Sequence, residues 1–362
     1  MSKYAIVLAG GLGTKFWPKS TEKIPKQFTH VFGEATCIQN TYNRCLNYFD
    51  KDKIYFVTSI AHKELIESQL PDLNKNNFIY EPFGRNTAPA TALAINYILN
   101  DGASEEASFA ILPADHYINN INEFNHSLDL AFNVADKLDS IVTIGLTPDR
   151  PETQFGYIQV NLEQPIKEGN YYNIFHCETF AEKPDIGTAQ RFIESGDFLW
   201  NSGIFVWKIS TFNKAMKRFL PEYYDRLNSI REYFNQSAYF DQLNYQYKQL
   251  NPLSLDYGIL EKADNVVCIK SDFLWSDLGN WDELYSLQMK DANGNVLLGD
   301  VISIDNKNCF VDSNGKLIAL VGLEDLIVVD SGDATVICKR GEADRVQEIV
   351  DFLRRNLINK YL

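Results

Sequence analysis

Three glycines and four lysines in one short stretch are the first chemical signal in this chain. Residues 5–28 read Ala-Ile-Val-Leu-Ala-Gly-Gly-Leu-Gly-Thr-Lys-Phe-Trp-Pro-Lys-Ser-Thr-Glu-Lys-Ile-Pro-Lys-Gln-Phe. An apolar run ending near Leu8 leads into Gly10, Gly11 and Gly13, and Lys15, Lys19, Lys23 and Lys26 follow. Glycine permits positive φ and lets backbone N–H groups approach an anion. Lysine ammoniums suit phosphate as point charges. The chain carries a formal charge of -14, so a local basic cluster implies a local polyanionic ligand. Spacing excludes two common phosphate loops. No glycine here opens G-x-x-x-x-G-K-[ST], and a dinucleotide fingerprint starting at Gly11 would need glycine where Phe16 stands. An ordinary strand-to-helix turn with a solvated basic face is the competing explanation. Trp17-Pro18 and the second element Pro25-Lys26-Gln27-Phe28 weigh against it.

Three further groups of residues suit chemistry around such an anion. Asp115 in Pro113-Ala114-Asp115-His116 follows an apolar run, as a Mg²⁺ ligand beside phosphates or as a helix N-cap. Asp277 in Trp275-Ser276-Asp277-Leu278-Gly279-Asn280-Trp281 offers a second carboxylate, or again a loop-to-helix cap. Glu81-Pro82-Phe83-Gly84-Arg85-Asn86-Thr87 opens an apolar helix. A carboxylate such as Glu81 suits the N–H donors of guanine, and a site built for them rejects a base that lacks them. Asn86 or Thr87 as a cap and Arg85 in a surface ion pair are the plainer alternative. A last set joins aromatic, amide, carboxylate and glycine residues in the manner of sugar sites: Gln154–Ile158, Phe180–Pro184 and Trp200–Phe205. Lys183 there suits a sugar phosphate, while core aromatics beside turns explain each segment singly.

The elements that must position these residues are legible from periodicity. Strands are expected at 4–9, 53–58, 77–81, 107–112 and 140–145, alternating with helices at 37–49, 61–70, 88–100 and 123–138. That alternation predicts an α/β, Rossmann-like fold: a mixed, mostly parallel sheet with helices on both faces. Ligands of such sheets bind outside the carboxyl ends of the strands. The rule puts Gly10–Lys15, Glu81–Thr87, Pro113–His116 and Gly145–Pro148 on one rim. The middle, 150–285, is mixed, with a strand expected at 203–208. Beyond 290, apolar runs at 296–304, 308–312, 316–321, 326–329 and 334–338 alternate with turn pairs such as Asn314-Gly315 and Ser331-Gly332. They predict a small β-rich domain, closed by an amphipathic helix over 342–358. The expected domains are 1–289 and 290–362.

Composition narrows the function. The 362 residues fit about two domains at ~150 residues each, and 45% hydrophobic and 13% aromatic content supplies a core. The acidic balance argues against nucleic-acid or membrane-surface partners. No run approaches the ~18 apolar residues of a membrane span, and the N-terminus enters a strand without the pattern of a signal peptide. The six cysteines lack C-x-x-C spacing and do not pair with the five histidines at zinc spacing. They read as reduced thiols of a cytoplasmic protein.

In this order, Gly10-Gly11-Leu12-Gly13-Thr14, Pro25–Phe28, Glu81–Pro89, Asp115, Phe180–Pro184, Trp200–Phe205 and Trp275–Gly279 resemble the sugar-nucleotide pyrophosphorylases, a nucleotidyltransferase family. Within it they most resemble the bacterial mannose-1-phosphate guanylyltransferases, over nearly the whole chain. The resemblance implies transfer of GMP from GTP to mannose 1-phosphate, giving GDP-mannose and pyrophosphate. It implies that Leu8, Gly10, Gly11, Gly13, Thr14, Glu81, Arg85, Asn86 and Thr87 bind the nucleotide. Lys15 and Lys26 neutralise phosphate charge, and Asp115 and Asp277 hold Mg²⁺. Gly145, Gly156, Tyr157, Glu182, Lys183 and Asn201 take the sugar phosphate. One departure stands out: the family usually has arginine where this chain has Lys15, and lysine keeps the charge but loses the bidentate fork. The alternatives are a pyrophosphorylase for another sugar or nucleotide, and a catalytically silent relative that binds a sugar nucleotide. A homodimer through the C-terminal β region is a further expectation.

Overall fold

The computed structural model describes residues 2–11, 13–167 and 171–362, so Leu12 of the glycine motif lies outside the described residues. The chain gathers into two compact units: Met1–Gly10, Thr41–Ala114 and Ile118–Trp275 in the first, and Gly11–Asn40, Asp115–Tyr117 and Ser276–Leu362 in the second.

The first unit is built on one nine-stranded mixed sheet. Its strands are β1 (Lys3–Leu8), β2 (Ile54–Ser59), β3 (Phe78–Glu81), β4 (Ser108–Pro113), β5 (Ile141–Leu146), β6 (Gly156–Val160), β7 (Ile174–Glu182), β8 (Phe198–Lys208) and β9 (Val266–Ser271). Their order is β3-β2-β1-β4-β8-β5-β9-β7-β6. Strands β1 to β4 pair in parallel, as do β5 and β9. β8 runs antiparallel to both β4 and β5, so β5 points the same way as β1–β4. The carboxyl ends of β1, β3, β4 and β5 therefore share one edge, as the sequence predicts for Gly10, Glu81, Pro113 and Gly145-Leu146.

Residues two apart in a strand face the same side. Tyr4, Ile6, Tyr55, Val57, Phe109 and Ile111 form one apolar cluster with Leu93, Ile95 and Ile98 of the helix Thr87–Asn100. Ala5, Val7, Phe56, Ala110 and Leu112, the alternate positions, are buried as well, as expected of strands covered on both faces. The strand expected at 203–208 starts at Phe198, because Leu199 and Trp200 pair with Ile158 and Tyr157 of β6. That cross-strand pairing overrides the weak β-propensity of Asn201-Ser202-Gly203. The mixed middle folds into helices Ile186–Ser195, Ile209–Phe219, Pro221–Ser229 and Tyr239–Lys248.

The second unit holds the glycine-lysine loop together with the β-rich C-terminus. Short strands Val296–Leu298, Phe310–Asp312 and Leu326–Asp330 stack in parallel, as do Val301–Ile304 with Ile318–Val321. Thr335–Lys339 then turns back antiparallel. Short parallel rungs without crossover helices are coils of a β-helix. The expected run 296–304 breaks at Gly299, whose φ is +80° and whose missing Cβ would lie 2.5 Å from the Ser313 carbonyl oxygen. Buried asparagines stitch the coils. Asn295 donates to the Asn306 carbonyl at 3.0 Å, and Asn306 donates to the Leu320 carbonyl at 2.9 Å. Phe16, Trp17, Trp281, Phe310, Ile327, Val350 and Leu353 form the core. The final helix spans Val346–Arg355, shorter than the expected 342–358, with a 3-10 turn before it. Among the described residues, no helix is long and apolar enough to cross a membrane.

Candidate active site

The glycine loop is shaped by what lies behind it. Gly13 has φ +50°, and a Cβ there would stand 2.7 Å from Lys26 Cβ. No other residue fits so close a pass. Gln27 Nε2 donates to the Gly11 carbonyl at 2.8 Å, and Phe28 is buried. The Pro25–Phe28 element is thus the floor on which the loop rests. Of the four lysines, Lys15 and Lys26 line one cleft of about 370 Å³ with Gly13, Thr14, Asp115, His116, Asp277, Gly279 and Gln347. Lys19 instead forms an ion pair with Asp312.

Lys26 is the hub of that cleft. Its ammonium donates to Asp115 Oδ2 at 2.8 Å and to the Asp277 carbonyl at 2.5 Å. Burial works against its charge, but Asp115 and Asp277 outweigh burial and raise its pKa. Burial would raise Asp115 too, yet the Lys26 and His116 charges hold its carboxyl below the usual range. Asp277 goes the other way: burial, then the Glu283 carboxylate, push it up. Its Oδ1 is buried without a hydrogen-bond partner. Neither aspartate is a helix cap. Asn120 caps Ile121–Leu138 and Asn280 caps Trp281–Leu287, each accepting from a backbone N–H three residues on.

In the first unit, Glu81 ends β3 with 2% of its surface exposed. Its Oε1 has no hydrogen-bond partner, and a Cβ at Gly10 would meet its Oε2 at 3.2 Å. Burial pushes the Glu81 carboxyl up to about 8, against the pull of the Tyr247 hydroxyl and the Arg85 backbone N–H. The residues after it have structural partners. Arg85 Nε donates to the Tyr247 carbonyl at 3.1 Å, Asn86 caps the next helix by accepting from the Thr87 N–H at 2.8 Å, and Thr87 Oγ1 accepts from the Leu255 N–H at 2.8 Å. Leu8 is the last residue of β1.

Of the six sugar-type residues, Gly156, Tyr157, Glu182 and Asn201 line a separate small pocket with Phe180, Asp256 and Glu261, and Gly145 and Lys183 lie outside its lining. Gly156 lies opposite Glu182 across β6 and β7, and a Cβ there would meet Glu182 Oε2 at 2.6 Å. Gly145 lies opposite Asn201 and leaves room for Cys268 Sγ and Leu199. Lys183, with φ +47°, sits 3.6 Å from Glu182 Oε1. Tyr157 is fully buried, and its hydroxyl donates to the Glu152 carbonyl at 2.9 Å.

Sequence reasoning missed three residues of these sites, Asp256, Glu261 and Gln347. Asp256 accepts from Asn201 Nδ2 at 3.0 Å and opens a π-helical turn, a feature that recurs at functional sites. A lone acid in the apolar run Leu255–Leu260 was the available signal. Gln347 reaches the lysine cleft from the last helix, and nothing in its local pattern marks it.

A sheet with this order, a glycine loop set on a buried lysine and two carboxylates beside it define a nucleotide-handling transferase. The chain belongs to the nucleotidyl transferase family, whose model matches residues 4–294. A second model, the MannoseP isomerase/GMP-like beta-helix domain, matches 299–353. The chain is 33% identical to mannose-1-phosphate guanylyltransferase 2 of Escherichia coli O157:H7, over 99% of this chain and 75% of that protein. It is also 33% identical to mannose-1-phosphate guanylyltransferase of Klebsiella pneumoniae, over 98% and 75%. A solved structure from Thermus thermophilus, described as a mannose-1-phosphate geranyltransferase, matches with a TM-score of 0.87 at 30% identity, over 98% of this chain and 100% of that one. The expected family, fold and nucleotidyltransferase class are borne out.

Proposed function

We propose that this enzyme transfers GMP from GTP to mannose 1-phosphate, releasing pyrophosphate. The observation that carries the proposal is the cleft in which Thr14, Lys15, Lys26, Asp115 and Asp277 meet, in a chain similar over its length to guanylyltransferases. An oxygen of the sugar phosphate attacks the α-phosphorus in line. One P–O bond forms, the α–β bridge breaks, and its electron pair leaves with pyrophosphate. No protein nucleophile is needed, so the side chains position and neutralise. The backbone at Gly11, Gly13 and Thr14 offers N–H donors to the triphosphate, and Lys15 and Lys26 offset its charge. Glu81 takes the N–H donors of guanine, with Leu8, Gly10, Arg85, Asn86 and Thr87 beside the nucleoside. Glu182, Asn201 and Asp256 accept from or donate to sugar hydroxyls, Lys183 pairs with the sugar phosphate, and Gly145, Gly156 and Tyr157 shape that pocket.

The residues fit Mg²⁺. Asp115 and Asp277 are hard oxygen donors, and Asp277 Oδ1 is a buried acceptor without a partner. Among the described residues, no three His, Cys, Asp or Glu side chains gather as a closed metal cage. Two carboxylates completed by phosphate and water oxygens are what Mg²⁺ takes. Bound there, it would offset charge as it builds on the leaving phosphates.

Two further parts belong to this proposal. A cytoplasmic setting is supported by six free thiols, four of them buried. A domain boundary near 290 is supported by family matches that end at 294 and resume at 299.

The test is pyrophosphate release with GTP, ATP, UTP and dTTP against a panel of sugar 1-phosphates, for wild type, Lys15→Ala and Lys15→Arg. The expected result is highest kcat/KM for GTP with mannose 1-phosphate. Lys15→Ala should lose about 100- to 1000-fold, as other transition-state charge stabilisers do, and Lys15→Arg should remain active. A different preferred pair reassigns the substrate. If wild type and Lys15→Ala are equally slow and Lys15→Arg alone is active, the chain is a silent sugar-nucleotide binder.

A further inference from the structure

The helix Val346–Arg355 buries Val346, Val350 and Leu353 in the same cluster as Phe16 and Trp17 of the glycine-lysine loop. Its positions 347, 351 and 354 follow i, i+4, i+7 spacing and share one face. Hydrogen bonds tie that face to the loop at two points. The Thr14 hydroxyl donates to Gln347 Oε1 at 3.0 Å, and Gln347 Nε2 donates to Asp351 Oδ1 at 3.1 Å. Arg354 Nη1 donates to the same Asp351 oxygen at 3.2 Å, and its Nε donates to Glu22 Oε1 at 2.5 Å. The last helix thus braces the loop on both sides of Lys15 and Lys19. Gln347 also lines the cleft with Thr14, Lys15, Lys26, Asp115 and Asp277.

We propose that Gln347 is a positioning residue for the triphosphate loop, fixing Thr14 and with it the backbone N–H groups and the Lys15 side chain that face the nucleotide. The inference rests on the phosphate-binding reading of that loop. The residue type fits the task. A primary amide accepts from Thr14 and donates to Asp351 at once, without adding charge. A glutamate there would set a second carboxylate against Asp351 and repel phosphate, and a lysine could not accept the hydroxyl proton. The C-terminal helix is therefore part of the nucleotide site's support.

The experiment uses the full chain and Gln347→Met, Thr14→Val, their double mutant, and Thr14→Ser. Two readouts are taken: KM for each substrate, and amide exchange over 13–17 without ligand. Gln347→Met and Thr14→Val should each raise KM for GTP about three- to tenfold, the weight of one hydrogen bond, and leave KM for mannose 1-phosphate unmoved. The double mutant should match the worse single, and Thr14→Ser, which keeps the hydroxyl, should raise KM for GTP less than Thr14→Val does. Exchange over 13–17 should quicken in Gln347→Met and Thr14→Val but not in Thr14→Ser. Multiplying effects in the double mutant, an equal rise in both KM values, or unchanged exchange would overturn the proposal. If wild type does not use GTP, the functional reading fails, and the exchange data still decide the role of Gln347. If Gln347→Met does not fold, the exchange difference between Thr14→Val and Thr14→Ser decides it.

Discussion

Glu81 is a carboxyl with only 2% of its surface exposed, and one of its oxygens is left without a partner. Burial lifts its pKa from 4.5 to about 8 in the folded chain. The folded state then keeps a proton that the unfolded state has lost. The associated stability is full below the unfolded value and is lost as pH rises through about 8. Glu81→Gln mimics the neutral acid, so the stability of wild type relative to this variant should fall between pH 5 and pH 8.5. Differential scanning calorimetry measures it, and parallel curves would refute the shift. Guanine N–H donors prefer the ionised form. The KM for GTP should therefore fall as pH rises from 7 to 8.5 in wild type and stay flat in Glu81→Gln. A slope shared by both would belong to the triphosphate and not to residue 81.

The glycine loop and the Pro25–Phe28 element act as one piece. Gly13 needs positive φ, and its backbone passes so close to Lys26 that even a methyl group collides. Gly13→Ala should displace Lys26 from its bonds to Asp115 and the Asp277 carbonyl. Strain of ~1–3 kcal/mol for a non-glycine residue in the left-handed region adds to the cost. The expected result is a kcat at least ten times lower, with a Tm reduced by a few degrees. Gly11 has no atom within 4 Å of its missing Cβ, so Gly11→Ala is the matched control and should retain its Tm. Equal loss of Tm in both variants would rule out the close pass to Lys26 as the cause of the Gly13 effect, because Gly→Ala by itself reduces unfolded-chain entropy and stabilises.

For the molecule as a whole, the exposed apolar side chains of the β-rich region matter most. Ile302, Ile304 and Val321 point outward, 49%, 51% and 64% exposed, and Ile304 and Val321 are cross-strand neighbours. This is unusual on a chain of charge -14, where self-repulsion favours separate copies. A homodimer through the C-terminal β region would bury these side chains. Light scattering should give twice 41.4 kDa, and Ile304→Lys with Val321→Lys should give the single-chain mass. A wild-type mass of one chain at all concentrations would remove the dimer.

Sequence alone determined what short range determines. Apolar alternation located β1 to β5, glycine and asparagine pairs located the turns of the β-rich end, and residue chemistry marked Lys26, Asp115, Asp277 and Glu81. Those signals live within a window of a few residues, because φ, ψ and amphipathic period are local properties. Tertiary structure decided which of them meet. Lys26 reaches Asp277 across 251 positions and Thr14 reaches Gln347 across 333, and no local pattern encodes such distances. The fold also settled roles that residue type left open. Asp115 and Asp277 are free of capping because Asn120 and Asn280 do that work, whereas Asn86 is itself a cap. Only the packed chain removes water from Glu81 and Asp277, and that desolvation, invisible in one dimension, sets their proton affinity.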